Sequence, residues 1–200
     1  GGAVRLDAGT LTVNGTIAAD GVEGEADGGW NAYMGSGGGS GGSIWIEADT
    51  LEGAGSIRAD GGDGASETRD GGGGGGGRIA VYYKNSSYSG TVEASGGTGG
   101  PGDQGTVAFV DALNDILYTG KVFRFQENDG VFRFSEIICD SSAISIDGNV
   151  SISAGIISFD SSTFLFDGNS ELSANEIRFS NFSKLTCQGS QSLNLLTVTL

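Results

Sequence analysis

Histidine is absent from the 200-residue sequence, which also holds only one proline and two cysteines. Without histidine there can be no Ser/His/Asp or Cys/His catalytic group, and the commonest metal ligand is missing. Two cysteines are too few for a disulfide scaffold. No apolar run approaches the roughly 20 residues that a membrane-spanning helix needs. These absences predict a chain that is not an enzyme, with no catalytic residues and no membrane insertion.

Positive charge is also scarce. Ten Lys and Arg residues are set against 25 Asp and Glu residues, which gives a formal net charge of −15. Nucleic acids and anionic lipid surfaces are bound through clustered Lys and Arg, so neither is an expected partner. The expected partners are other proteins or further copies of this chain, with glycans as an additional class.

Glycine is abundant, and 33 of the 39 glycines precede Asp111. In this part the pattern of residues 41–61 recurs 40 residues earlier and 35 residues later. Its apolar positions align in two columns, which are Val4/Ile44/Ile79, continued by Val107, and Ile17/Ile57/Val92. Self-similarity at this scale is typical of solenoids, in which each repeat buries its apolar face against its neighbours.

The rest of the chain repeats about every 20 residues, because residues 140–159 match residues 160–179. Each repeat contains three short runs in which Ile, Val or Phe alternates with polar residues, the pattern of half-buried strands. The repeat before is expected to place Phe123, Phe125, Val131, Ile137 and Cys139 inward. The sequence therefore predicts an all-β fold, a single-stranded parallel β-helix with rungs of about 20 residues and three short strands each.

Two regions of one solenoid are predicted. Residues 1–110 form rungs that carry Gly-rich loop insertions at 22–40, 62–75 and 97–104, and residues 111–200 form compact rungs. Because a repeat is under way at Gly1 and still running at Leu200, we expect the chain to be a piece of a longer protein. Cys139 and Cys187 fall at inward positions of different strands, which predicts two buried free thiols.

The Gly-rich insertions also contain carboxylates, which are ligands that Ca²⁺ prefers. Calcium is therefore the one candidate ion, with Asp60, Asp63 and Asp70 as its candidate ligands. Nine-residue calcium repeats are absent, so solvated aspartates are the favoured interpretation and no cofactor is predicted. The glycine run 71–77 lacks a following GK[ST] and a helix, which favours close backbone packing between insertions, or flexibility, over phosphate binding.

Asparagines form two further patterns. Asp-Gly-Asn at 147–149 and 167–169, with Asn128 and Ser190 in the same column, predicts a ladder of stacked turns. Asn14, Asn85 and Asn181 begin Asn-X-Ser/Thr sequences and are the glycosylation candidates of a secreted glycoprotein. Asn149 begins another, but its place in the ladder makes it the weakest candidate.

Three stretches carry a resemblance to a known family: GGGSGGSIWI at 37–46, GSIRADGGDG at 55–64 and GGGGGGGRIAVYY at 71–83. They resemble the Gly-rich repeats of very large, adhesin-like β-helix surface proteins, over about the first 110 residues. The resemblance implies a right-handed, pectin-lyase-like solenoid that is extracellular or at the cell surface and serves adhesion or an extracellular filament.

The expected function is that of a structural or adhesive extracellular β-helix segment, acting as a rigid spacer or a filament-forming surface protein. The alternative is a carbohydrate-binding or polysaccharide-processing β-helix, with exposed Trp45 and Tyr82 as stacking platforms.

Overall fold

The fold is all-β. The computed structural model describes residues 1–26, 35–66, 70–126, 131–167, 169–188 and 192–200. Strands make up 63% of the described residues, and the described ranges contain no helix. Consequently, no described segment is a helix long and apolar enough to cross a membrane. The predicted all-β class with parallel strands is confirmed.

The chain divides into two compact units, Gly1–Val107 and Ala108–Leu200, and β7 (Thr106–Asp111) contains the division. The strands of unit 1 are β1 (Ala3–Thr12), β2 (Thr16–Ala18), β3 (Ser43–Glu52), β4 (Ser56–Arg58), β5 (Arg78–Ser86) and β6 (Thr91–Glu93). Those of unit 2 are β8 (Ile116–Gln126), β9 (Val131–Asp147), β10 (Ser151–Asp160), β11 (Thr163–Asp167), β12 (Glu171–Ser180), β13 (Lys184–Gln188) and β14 (Ser192–Thr199).

Unit 1 contains two parallel ladders, β1–β3–β5 and β2–β4–β6. Ile44 pairs with Val4 and Ile79 in the first ladder. Ile57 pairs with Ile17 and Val92 in the second. The three-membered columns expected from the sequence are therefore confirmed, and the middle residues Ile44 and Ile57 are 2% and 0% exposed. Burying such a side chain contributes about 1.5 to 3 kcal/mol to the free energy of unfolding.

Unit 2 repeats the arrangement with shorter connections. β8, β9, β10, β12 and β14 pair in parallel in that order, and β9, β11 and β13 form a second parallel series. Phe166 pairs with Ile146 on one side and Cys187 on the other, which is the predicted register. The core of this unit is rich in aromatic rings, and Phe125, Phe159 and Phe166 are at most 1% exposed.

Two of the three alternating runs of a repeat are continuous in the structure. β10 extends over ten residues, and its pairing with β9 and β12 skips Gly155 alone. A backbone that bends at one residue can turn a corner without ending the ladder. In five repeats one strand of nine or ten residues is followed by one of three to five residues, whereas β9 runs through both positions as a single strand of 17 residues.

Two sequence-based expectations about burial are wrong. Val131 is 64% exposed, and Phe132 takes the position opposite Ile152. The spacing between paired residues is 21 at Phe125/Ile146 and 20 at Phe132/Ile152, and a one-residue change exchanges the two faces of a strand. Cys187 keeps its predicted register but is exposed, because its strand β13 is paired with β11 alone among the described strands.

Cys139 is 1% exposed, as expected, and burial raises the pKa of its thiol to about 12. Both cysteines are free, so the prediction of two unpaired thiols is confirmed.

Candidate functional site

The Gly-rich insertions of unit 1 form six packed segments, which we call the glycine arms. Each insertion has an outgoing and a returning arm. They are arms 1 and 2 (19–26 and 35–42), arms 3 and 4 (59–66 and 70–77) and arms 5 and 6 (94–98 and 100–105). The insertion tips 27–34 and 67–69 lie outside the described residues. Although the arms contain no named strand, their backbones are extensively hydrogen-bonded to one another.

Arm 3 shows how dense this network is, because it is bonded to four other arms. Its Gly62 N–H donates to Gly39 O of arm 2 (2.8 Å), and its Gly61 N–H donates to Ser95 O of arm 5 (2.8 Å). Its carbonyls accept from Gly21 N–H of arm 1 and Gly74 N–H of arm 4. A strand in a sheet has two hydrogen-bonded neighbours, so the arms are packed as a bundle.

The bonds to each neighbour recur every third residue. Residues 62 and 65 of arm 3 donate to arm 2, and residues 61 and 64 donate to arm 5. The carbonyls of residues 59, 62 and 65 accept from arm 4, and those of residues 60 and 63 accept from arm 1. Three residues per turn is the period of the polyproline II helix, whose backbone groups point outward in several directions. The arms therefore have the period of this helix and not the two-residue period of a strand.

Glycine is required where the arms touch. A Cβ atom added to Gly62, Gly74 or Gly97 would overlap the carbonyl oxygen of Val22, Gly39 or Gly62, respectively. The buried positions of arm 3 are 59, 62 and 65, and those of arm 4 are 71, 74 and 77, all of them alanine or glycine. Close packing between insertions, one of the two readings of this glycine run, is thus what the structure shows.

Other glycines in the arms face open space. An added Cβ would meet nothing within 4 Å at Gly72, and nothing closer than 3.4 Å at Gly37 and Gly100. All three are exposed, so packing inside the bundle does not explain the absence of a side chain. They leave bare backbone on the surface of the returning arms.

Two of the three aspartates predicted as calcium ligands bond to the backbone of the bundle. Asp60 Oδ1 accepts from Ser95 N–H (2.7 Å), and Asp63 Oδ1 accepts from Thr98 N–H (2.7 Å). Hydrogen bonds from the backbone and the side chain of Thr98 hold the pKa of Asp63 below its usual value. Asp70 accepts from Ser66 Oγ at 3.2 Å. The part of the chain that the structure describes contains no group of three or more His, Cys, Asp or Glu residues able to hold a metal ion.

Asp20 connects the first two insertions in the same way. Its carboxylate accepts from Asp60 N–H (2.9 Å) and forms an ion pair with Arg58 at 2.6 Å. Aspartates at equivalent turns thus connect each insertion to the next by hydrogen bonds. The sequence did not predict this role. The signal was present as the Ala-Asp-Gly turn repeated at 19–21 and 59–61.

The second candidate feature of unit 1 is an aromatic pair on the outward face of β3 and β5. The rings of Trp45 and Tyr82 lie 4.7 Å apart between centroids, tilted by 31°. Trp45 is 39% exposed, and Tyr82 is half-buried. Burial and the carboxylate of Glu47 raise the pKa of Tyr82, and Glu47 also pairs with Arg5 at 3.6 Å. The structure therefore brings together the two predicted platform residues.

The glycosylation candidates Asn14, Asn85 and Asn181 are all exposed. Asn181 differs from the others, because its Nδ2 donates to Asp160 Oδ1 at 2.6 Å and its φ is 49°.

Of the predicted turn ladder, Asn128, Gly168 and Ser190 lie outside the described residues. Gly148 has a φ of 91°, as expected for a glycine in such a turn.

The structure shows a different ladder in unit 2, made of serine hydroxyls. Ser162 Oγ accepts from Ser142 N–H at 3.0 Å and donates to Cys139 O at 3.0 Å. Ser183 Oγ accepts from Ser162 N–H at 3.1 Å. Ser142 and Ser162 are buried, so these hydroxyls satisfy backbone groups at a corner. The repeated Asp-Ser-Ser at 140–142 and 160–162 was the available signal.

In comparisons with known proteins, no family model, no curated protein and no solved structure matches the chain.

Proposed function

We propose that this chain is a structural or adhesive segment of an extracellular surface protein, acting as a rigid spacer or filament element without catalysis. The observation that carries the proposal is the bundle of glycine arms. Its backbone bonds in several directions make a stiff body. The resemblance to adhesin-like repeats supports the same function and the location outside the cell.

We further propose that each unit coils as a right-handed parallel β-helix. Paired residues are 40 apart at Val4/Ile44, 35 apart at Ile44/Ile79 and 20 apart at Ile152/Leu172. Parallel neighbours require a connection that returns the chain to the same end of the ladder. One coil per repeat supplies that connection, with the glycine arms as excursions from the coil. The handedness rests on the resemblance.

The returning arms are the part of the surface proposed to make lateral contacts. Gly37, Gly72 and Gly100 leave backbone open to solvent where a side chain would fit. Bare backbone allows another surface to approach closely. The net charge of −15 opposes contact between copies through the charged parts of the surface, so contact at these three glycines, which carry no charge themselves, is favoured. The proposed partners are copies of the chain or other surface proteins.

Substituting Gly72 by tryptophan tests this function without disturbing the bundle. The open space at Gly72 should leave the melting temperature nearly unchanged, while the indole obstructs the lateral contact. We expect self-association in sedimentation velocity, or adhesion of coated beads to cells, to fall roughly tenfold, as for a lost central contact.

Gly9→Trp is the matched control, since Gly9 in β1 also has nothing within 4 Å of an added Cβ. Equal behaviour of the two variants and the unsubstituted chain in both assays would contradict the proposal.

Carbohydrate binding is the second candidate function, and the Trp45–Tyr82 pair is the observation that favours it. A half-exposed indole presents a flat apolar face, and Glu47 and Arg5 beside it can bond to sugar hydroxyls. If this function operates, Trp45→Ala should abolish a glycan-array signal that Trp45→Phe partly retains. A signal that survives Trp45→Ala would exclude the pair as the binding site.

A further inference from the structure

The glycine arms are packed in two layers, the outgoing arms 1, 3 and 5 and the returning arms 2, 4 and 6. A returning arm donates to the outgoing arm of its own insertion, as Gly74 N–H does to Gly62 O. The next outgoing arm donates back, as Gly62 N–H does to Gly39 O. Arms within a layer are bonded as well, since Gly38 N–H donates to Gly72 O at 2.9 Å. Each layer therefore has one face against the other layer and one outward face.

Aspartates cover the outward face of the outgoing layer. In three places an aspartate Oδ1 accepts from a backbone N–H of the next outgoing arm, and these pairs are Asp20 with Asp60, Asp60 with Ser95 and Asp63 with Thr98. The carboxylates occupy the backbone donors of this face and also make it negatively charged. A further backbone segment has few free groups to bond there.

The outward face of the returning layer is uncovered. The C=O and N–H of one planar trans peptide group point in opposite directions. Gly39 O accepts from Gly62 N–H of the outgoing layer, so Ser40 N–H points away from that layer. Gly39 N–H donates to Val22 O of the outgoing layer, so Gly38 O points outward too. The returning layer thus directs both donors and acceptors to the outside.

Unpaired groups of this kind recur every third residue along arms 2 and 4. The groups without a hydrogen-bond partner in the part of the chain that the structure describes are the N–H of Gly37, Ser40, Gly72 and Gly75 and the C=O of Gly38, Gly41, Gly73 and Gly76. At the three donor glycines an added Cβ would meet no atom closer than 3.4 Å. Side chains that could cover this face are therefore absent although there is room for them.

We propose that the returning layers of two copies of this chain pack face to face. The inference rests on the lateral contact proposed above and names its partner. Four unpaired donors and four unpaired acceptors make the face complementary to itself, as a two-fold interface requires. Residues 35–42 and 71–77 contain no charged side chain, so the charge of the chain opposes contact least on these arms.

Period and size also fit a second copy. Only a partner with a three-residue period can bond at every third residue, and the arms of another copy have that period, whereas a β-strand repeats every two residues. Eight residues at about 3.1 Å each give an arm length of roughly 25 Å. Three arms about 5 Å apart would bury roughly 400 Å² per copy, about half of what a stable dimer needs. The dimer is therefore weak and forms where copies are concentrated.

A concentration series of the whole chain by nuclear magnetic resonance tests the contact. The series extends to about 1 mM protein, because an interface of this size is weak. We expect the amide signals of Gly37, Ser40, Gly72 and Gly75 to shift with concentration. The amide of Gly62, which is bonded inside the bundle, should stay unchanged.

Gly72→Pro removes one of the outward donors without breaking a bond of the bundle. Proline has the φ of the polyproline II helix, so the melting temperature should stay nearly unchanged. We expect the dissociation constant of the dimer in sedimentation equilibrium to rise roughly tenfold, since each dimer loses a bond from both copies. Glu23→Pro is the matched control, because Glu23 is exposed on arm 1 and its N–H is also unpaired among the described residues. This variant should associate like the unsubstituted chain.

A monomer at every concentration, or an association that Gly72→Pro leaves unchanged, would overturn face-to-face packing. If Gly72→Pro does not fold, the amide shifts of the unsubstituted chain decide the question. The function proposed above is judged separately by bead adhesion. Adhesion lost in Gly72→Trp while the chain stays monomeric would support that function with another surface protein as the partner and would reject the dimer.

Discussion

Replacing Gly74 by alanine should lower the free energy of unfolding by about 3 kcal/mol, the upper range for forcing an extra carbon into a packed interior. Gly74 is buried in arm 4, and its added Cβ would overlap Gly39 O of arm 2. The neighbour is backbone that is itself bonded to Gly62 and Val22, so it cannot move aside without breaking further bonds. Urea unfolding followed by circular dichroism measures the change.

Gly72→Ala is the control two residues away in the same arm. Its Cβ enters open space, so the free energy of unfolding should change by less than about 0.5 kcal/mol or rise slightly through reduced freedom of the unfolded chain. If the insertions were loose loops, the two substitutions would have equal and small effects. That result would show that the insertions are not packed as a bundle.

Ile57→Asp should be the most damaging single substitution in the strands of unit 1. Ile57 is 0% exposed and lies between Ile17 and Val92 in its ladder. A carboxylate there has no partner, and an uncompensated buried charge costs roughly 4 kcal/mol, a large part of the stability of an ordinary domain. We expect the transition of unit 1 in thermal unfolding to move to a much lower temperature or disappear.

Two controls separate charge burial from other effects. Thr91→Asp places the same side chain at an exposed position of β6 and should change stability by no more than about 0.5 kcal/mol. Ile57→Val keeps the site apolar and should cost about 1 kcal/mol. A melting temperature of Ile57→Asp within a degree or two of the unsubstituted chain would show that the columns are assigned wrongly.

The strand register of both units could be predicted from the sequence, because alternation of Ile, Val and Phe with polar residues marks the buried face directly. The columns of Ile44 and Ile57 followed from aligning repeats of unequal length. Errors arose where the spacing changed by one residue, as at Val131, or where a strand lacked a second neighbour, as at Cys187. Neither condition is visible in a single repeat.

The glycine bundle could not be predicted in the same way. A run such as 71–77 has no side chains to reveal its period, so a strand, a polyproline II helix and a flexible loop look alike in sequence. The period of three becomes visible only through the hydrogen bonds that each residue makes.

Hydrogen exchange of the arm amides tests the stiffness of the bundle most directly. The N–H groups of Gly62, Gly74 and Gly97 donate in sequence to the carbonyls of Gly39, Gly62 and Gly74, at 2.8 to 2.9 Å. We predict that these three amides exchange as slowly as those of β3, since opening them requires separating packed backbones. Exchange of the three glycine amides at the rate of an unstructured peptide, while β3 stays protected, would contradict the bundle and the function proposed for it.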